Sequence, residues 1–278
     1  MFKKIFFLGT PQFSANIFED LIKQEIVPSG IITMPDKAVG RGQHISETAV
    51  KKIAIQYNVK VFQPATKDDL EKVLKAESPD ALVVIAYGMI FTKEIVDNYL
   101  LLNIHTSILP KYRGPSPIQS AILNGDAETG VTLMKIAYEI DNGDIIDIKR
   151  TPILLKDNLQ TLAKKLEKLS VEILLENFSK PFDLWQYQKQ DEKDTSFTRK
   201  IKKEDGLIDL AKTSPETIIR KLRAFNPWPG IYTIKNDKRI KIIDARIDAG
   251  TLQFITVQPE GKKAMSYSAY VNGFGSLV

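Results

Sequence analysis

The sequence predicts an α/β protein: a doubly wound, mostly parallel sheet followed by a small domain built as a barrel or open sheet. Through the first two thirds of the chain, apolar runs alternate with amphipathic stretches of helical period, which is the rhythm of βα units. Runs such as ALVVIA, residues 81–86, are apolar at every position. Strands read that way when helices cover both faces of a parallel sheet. In the last third the pattern changes to short β-like runs separated by turn residues. The expected organisation is residues 1–180 as a first, larger domain, 181–205 as a linker, and 206–278 as a smaller C-terminal domain.

Taken in order, the strands of the first domain are expected at Ile5–Leu8, Ile31–Thr33, Val59–Phe62, Ala81–Ala86 and Leu101–Ile108. The start MFKKIFFLG has the basic and apolar parts of a signal peptide. Its apolar run is too short for one, however, and Pro11, Glu19 and Asp20 follow closely, so it reads as a buried first strand. Gly9-Thr10-Pro11 closes that strand as a nucleotide-fold turn would, without the Gly-x-Gly-x-x-Gly pattern that a dinucleotide requires. MPDKAVGRGQHISETAVKK reads as a long polar loop with Gly40-Arg41-Gly42 at its tip. A glycine-flanked arginine can reach a carboxylate or phosphate bidentately, although a solvated loop would look the same. Ser116-Pro117 offers an N-cap and first helical position, and Asn124-Gly125 a stop. Strands are expected at Thr129–Ala137 and Ile145–Ile153, and an amphipathic helix at Thr161–Phe178. In the second domain Ser214-Pro215 opens a helix, and GIYTIK, RIKIIDARI and TLQFITVQ read as strands.

Composition narrows the function. With 43% hydrophobic and 26% charged residues, the chain is an ordinary globular protein. It has no cysteine, which removes disulfides, thiol nucleophiles and cysteine metal sites and fits a cytoplasmic setting. No run approaches the ~18–20 apolar residues of a membrane span. The net charge of +5 is uneven: residues 199–263 hold fifteen Lys/Arg against eight Asp/Glu, a net +7. Such a segment suits a polyanion, RNA above all, although a solvated surface carries charge too.

The chemistry is expected at NIHTSILPKYRG, Asn103–Gly114. On a strand, the period of two puts Asn103 and His105 on one face. An amide and an imidazole pointing the same way can both donate to the oxygen of a carbonyl that turns tetrahedral, as acyl transfer requires. The bland alternative is a satisfied polar residue at a strand end. Only His44 and His105 exist in the chain, so a histidine-dependent site has few other places to be. Asp141, in EIDNGD, could orient the imidazole and relay a proton, although an aspartate before Asn-Gly is also a common turn residue.

NIHTSILPKYRGPSPIQSAILNGDAETGVTLM, together with IDNGDI, resembles the methionyl-tRNA formyltransferase family. GTPQFSA, PDKAVGRG with AVKKIA, VVIAYG, RAFNPWPG and QPEGKKAM follow the signatures of that family in order along nearly the whole chain. The resemblance implies a formyltransferase-type Rossmann-like domain, an OB-like C-terminal barrel, and formyl transfer from 10-formyltetrahydrofolate to the methionine of initiator Met-tRNA without a metal. It implies Asn103, His105 and Asp141 as the catalytic trio. Ser107, Ile108, Leu109 and Pro110, with the backbone at Tyr87 and Gly88, would hold the folate, and Arg41 would contact the tRNA. A monomer in the cytoplasm, with no membrane partner, completes the expectation. Three departures stand out. Ala137 replaces a usual aspartate and Phe91-Thr92 a usual Leu-Pro. Between Asp248 and Gln258 there is one strand where the family has room for more, so the barrel should be reduced. Related reactions would use the same trio: N-formylation of an amino sugar, or hydrolysis of formyltetrahydrofolate. A non-catalytic RNA- or nucleotide-binding module would leave the trio merely structural.

Overall fold

The computed structural model describes residues 3–39 and 44–277. Strands β1 (Ile5–Gly9), β2 (Gly30–Ile32), β5 (Val61–Phe62), β6 (Ala81–Ile85), β7 (Leu101–His105), β8 (Glu128–Lys135) and β9 (Ile145–Pro152) form one sheet. Their order is β5-β2-β1-β6-β7-β8-β9. Helices α1 (Gln12–Lys23), α2 (Ala49–Gln56), α3 (Lys67–Glu77), α4 (Lys93–Asn98), α5 (Pro117–Asn124) and α6 (Leu159–Phe178) connect or follow them. The pairs β2–β5, β1–β2, β1–β6 and β6–β7 are parallel, whereas β7–β8 is antiparallel. The doubly wound, mostly parallel sheet predicted from the apolar runs is therefore present.

Its core follows the strand period of two. Phe6 and Leu8 of β1 pack with Leu70 and Leu74 of α3, Leu82 and Val84 of β6, and Ile95 of α4. Phe7, between them, points the other way and stacks on Phe18 of α1 at 4.8 Å between ring centroids. Residues apolar on both faces are thus covered on both. Thr66 caps α3 by accepting from the Asp69 amide at 3.1 Å, while the Asp69 carboxylate accepts from the Thr66 amide at 3.2 Å. That reciprocal box satisfies two helix-end donors, where a turn would otherwise leave them to water.

Several local expectations change. The run Leu101–Ile108 leaves the strand after His105 and turns at once. The long polar loop contains an antiparallel ladder, β3 (Lys37–Val39) on β4 (His44–Ser46). Its tip, Arg41 included, lies outside the described residues. Ser116 precedes α5, but its hydroxyl donates to the Arg199 carbonyl at 2.7 Å and makes no cap bond. Gly125, at φ +72°, does end that helix.

By contacts the chain divides into two units. One holds Met1–Arg113, Gly130–Thr151 and Ala163–Phe197; the other holds Gly114–Thr129, Pro152–Leu162 and Thr198–Val278. In the second unit α7 (Pro215–Phe225) starts at Ser214, whose hydroxyl accepts from the Thr217 amide at 3.2 Å. The guanidinium of Arg220 on α7 donates to the Asn124 carbonyl at 3.3 Å, and that of Arg223 to Leu154 at 2.9 Å. Strands β10 (Ile231–Lys235), β11 (Lys238–Asp248), β12 (Thr251–Pro259) and β13 (Met265–Ser266) form an antiparallel sheet closed by α8 (Tyr267–Phe274). Only β12 lies between Asp248 and β13, as the reduced barrel requires. Among the described residues no helix is long and apolar enough to cross a membrane.

Leu82 is fully buried at the centre of the large sheet, in register with Phe6 on one side and Leu101 on the other. Leu82→Ala is expected to cost about 2–5 kcal/mol of stability. Urea unfolding should show this as a lowered midpoint with an unchanged slope.

Candidate active site

β1, β6 and β7 run in parallel, so their C-terminal ends lie along one edge of the sheet, where open α/β sheets carry their sites. Along that edge Thr10 donates its hydroxyl hydrogen to the Tyr87 carbonyl at 2.6 Å, tying the turn after β1 to the turn after β6. The Tyr87 ring stacks on Phe91 at 6.1 Å in the core, and burial pushes its phenol pKa up. Its hydroxyl has no partner among the described residues. The Tyr87 side chain is therefore part of the packing, and the exposed feature is the backbone of Gly88, at φ +96°. A side chain is disfavoured there by conformation.

On β7 Asn103 pairs with Met134 and His105 with Thr132, so both point to the same face of the sheet. The Asn103 amide is half-buried, and no described residue hydrogen-bonds to it. His105 is buried, and oxygens stand near both its ring nitrogens. Nε2 lies 2.9 Å from the Tyr112 carbonyl, and Nδ1 lies 3.6 Å from Oδ2 of Asp141. A carbonyl oxygen only accepts, so Nε2 carries a hydrogen. Nδ1 then faces the carboxylate at a distance too long for a hydrogen bond but suited to an ion pair once the ring holds a second proton. Asn103 is the member of the pair with a donor to spare. His105 can donate from Nε2 to a substrate oxygen only by giving up Tyr112.

Both oxygens come from unusual backbone. Tyr112 has φ +63° and Asp141 φ +49°, conformations that cost an L-residue with a Cβ about 1 kcal/mol or more. Close packing holds the Asp141 loop: a Cβ on Gly143 would overlap the Lys135 carbonyl at the end of β8. Ser107 donates its hydroxyl hydrogen to the Lys111 carbonyl at 2.6 Å. The Thr132 hydroxyl donates to the Ser107 carbonyl at 2.7 Å and accepts from the Leu109 amide at 3.2 Å. Leu109 is buried, whereas Ile108 and Pro110 are partly open.

Of the residues chosen from the sequence, His105 and Asp141 are thus brought side by side, and Asn103 shares a face of β7 with His105. The sequence reading did not find Tyr112, Thr132 or the neighbours of Arg113. Thr132 could have been found from the strand register opposite His105. Tyr112 acts through its main chain and leaves no side-chain signature.

The α/β sheet and this edge define a class, and the comparisons agree with it. Residues 3–178 match the family model described as formyl transferase, and residues 200–253 match its C-terminal domain. The chain is 36% identical to the methionyl-tRNA formyltransferase of Lactobacillus johnsonii, over 98% of this chain and 96% of the relative. In fold it is similar to the methionyl-tRNA formyltransferase of Clostridium thermocellum, with a TM-score of 0.63 and 19% identity over 92% of this chain and 97% of that one. HypX from Aquifex aeolicus, solved with tetrahydrofolic acid, superposes with a TM-score of 0.67 and 17% identity over 99% of this chain, which spans about half of HypX (48%). The chain belongs to the methionyl-tRNA formyltransferase family.

Because Gly143 has no room for a Cβ, Gly143→Ala must displace the Asp141 loop. Turnover in formyl transfer is expected to fall about 10- to 100-fold, the usual effect of ångström-scale misplacement. Steady-state kinetics on the folded variant check this, and unchanged turnover would show that the loop tolerates the shift.

Proposed function

We propose that Asn103, His105 and Asp141 perform the reaction of this family here. That reaction transfers a formyl group from 10-formyltetrahydrofolate to the α-amine of methionine on initiator Met-tRNA. The observation that carries the reading is the buried His105 between the Tyr112 carbonyl and Asp141, with the free Asn103 amide on the same face of β7. The site fits a reduced folate carrying an acyl oxygen, because Asn103 offers an unused donor and Gly88 an open stretch of backbone at the same sheet edge. When bound, the folate supplies the formyl carbon as an electrophile.

Asn103 donates from its amide to the formyl oxygen as negative charge develops there, and Nε2 of His105 reinforces it by exchanging Tyr112 for that oxygen. The Asp141 carboxylate, beside Nδ1 of His105, accepts the proton that the amine gives up as it bonds to the formyl carbon, and returns it to the folate nitrogen as the bond from that nitrogen to the formyl carbon breaks. Ser107, Ile108, Leu109 and Pro110 form the loop beside the folate, fixed by the two Thr132 bonds. Arg41 and the basic segment 199–263 engage the tRNA, and the enzyme works as a monomer in the cytoplasm.

The direct test supplies formyltetrahydrofolate with aminoacylated initiator tRNA, with a sugar nucleotide, or with no acceptor, and follows the formyl group. Formyl-methionine on the tRNA is the expected product; a formylated sugar or free formate would replace this reading. Asn103→Ala should lose on the order of 10²- to 10³-fold in turnover, as removal of an oxyanion donor does. If Lys and Arg of residues 199–263 contact phosphates, tRNA affinity should fall steeply between about 50 and 200 mM salt. Filter binding across that range would reject the assignment if affinity stayed flat.

A further inference from the structure

Residues 181–205 read from sequence as a passive connection, yet part of this stretch returns to the site. Gln188 bridges Ile145 of β9, and Phe197 bridges Arg113. Between those two bridges lies Gln190, whose amide is used at both ends. Its Nε2 donates to the carbonyls of Asp141 and Gly143, each at 2.8 Å. Its Oε1 accepts from Nε and Nη2 of Arg113, at 3.0 and 2.8 Å. Arg113 is buried, and its guanidinium also meets Glu192 through Nη2 and Oε1 at 3.0 Å. The residue before it is Tyr112, whose carbonyl holds His105. Ser196 anchors this pair from the same stretch: its hydroxyl accepts from the Tyr112 amide and its carbonyl from the Arg113 amide, both at 2.9 Å.

We propose that Gln190 is a positioning residue for the formyl-transfer site, bracing the loop of Asp141 against that of Tyr112 so that both oxygens around His105 stay in place. The proposal rests on the catalytic assignment of His105 and Asp141 made above. The physical reason is strain. Tyr112 and Asp141 both sit at positive φ, and residues in that region persist only where their surroundings hold them. The required brace must donate to two carbonyls at one end and accept from a guanidinium at the other. Only a carboxamide does both: glutamate cannot donate, lysine and arginine cannot accept, and asparagine is one methylene shorter.

The test uses the full chain in formyl transfer to Met-tRNA, with Gln190→Leu, Gln190→Glu, Asp141→Asn and the double variant Gln190→Leu/Asp141→Asn. Gln190→Glu keeps the acceptor for Arg113 and loses the donor to Asp141, so it carries the comparison where Gln190→Leu fails to fold. Both single Gln190 variants are expected to lower kcat about 10- to 100-fold, with KM for both substrates within about twofold. In the Asp141→Asn background, Gln190→Leu should cause a smaller further loss, because the share of the brace that acts through the Asp141 carboxylate is already gone. A folded Gln190 variant with kcat within about twofold of wild type overturns the brace, as does an equal loss with and without the Asp141 carboxylate. Full turnover by Asp141→Asn alone would instead remove the catalytic assignment, and the brace with it.

Discussion

The imidazole of His105 is held with an oxygen on each of two sides, and much of the local architecture supplies them. One is the carbonyl of Tyr112 at 2.9 Å, the other the carboxylate of Asp141 at 3.6 Å. Neither comes from a regular element, and each needs a backbone turn that an ordinary residue resists. The cost is met by neighbours that leave the backbone no other course: the tight passage of Gly143 beside Lys135, and the hydroxyl and carbonyl of Ser196, which accept from the Tyr112 and Arg113 amides. The sheet does the coarser placement. β7 is parallel to β6 on one side and antiparallel to β8 on the other, so its end meets both the turn after β6 and Thr132.

Much of this was legible in the sequence, for reasons that differ by element. The βα rhythm survives because burial on both faces demands uninterrupted apolar runs, and Ala81–Ile85 is the plainest case. Asn103 and His105 were legible as a pair because a strand's period of two follows from geometry alone. Asp141 could be nominated but not placed, since an aspartate before Asn-Gly looks like any turn. Beyond that, the signal fails where structure is made one residue at a time. The bridges at Gln188 and Phe197 have no period to detect, and Ser116 spends its hydroxyl on Arg199, a partner 83 residues away. The ladder of Lys37–Val39 on His44–Ser46 is equally obscure, being only three residues long on each side.

The C-terminal sheet shows a different limit. Its hydrophobic residues, among them Ile231, Ile240, Ile242, Phe254 and Val257, are few but well buried. The sequence reported their strand character through short β-like runs set between turn residues. Charge reported something separate, a surplus of cations over residues 199–263, which bears on the partner and says little about how the sheet is built.

A main-chain acceptor is invisible to substitution. Because His105 is held by the carbonyl of residue 112 and not by its side chain, exchanging the tyrosine leaves the oxygen itself intact. Under mutation, then, position 112 should drift more freely than its place beside the histidine suggests. Selection for a steady imidazole would fall instead on residues that never meet the substrate, where a lost hydrogen bond lets the backbone relax. In this protein the record of constraint and the map of chemistry need not coincide.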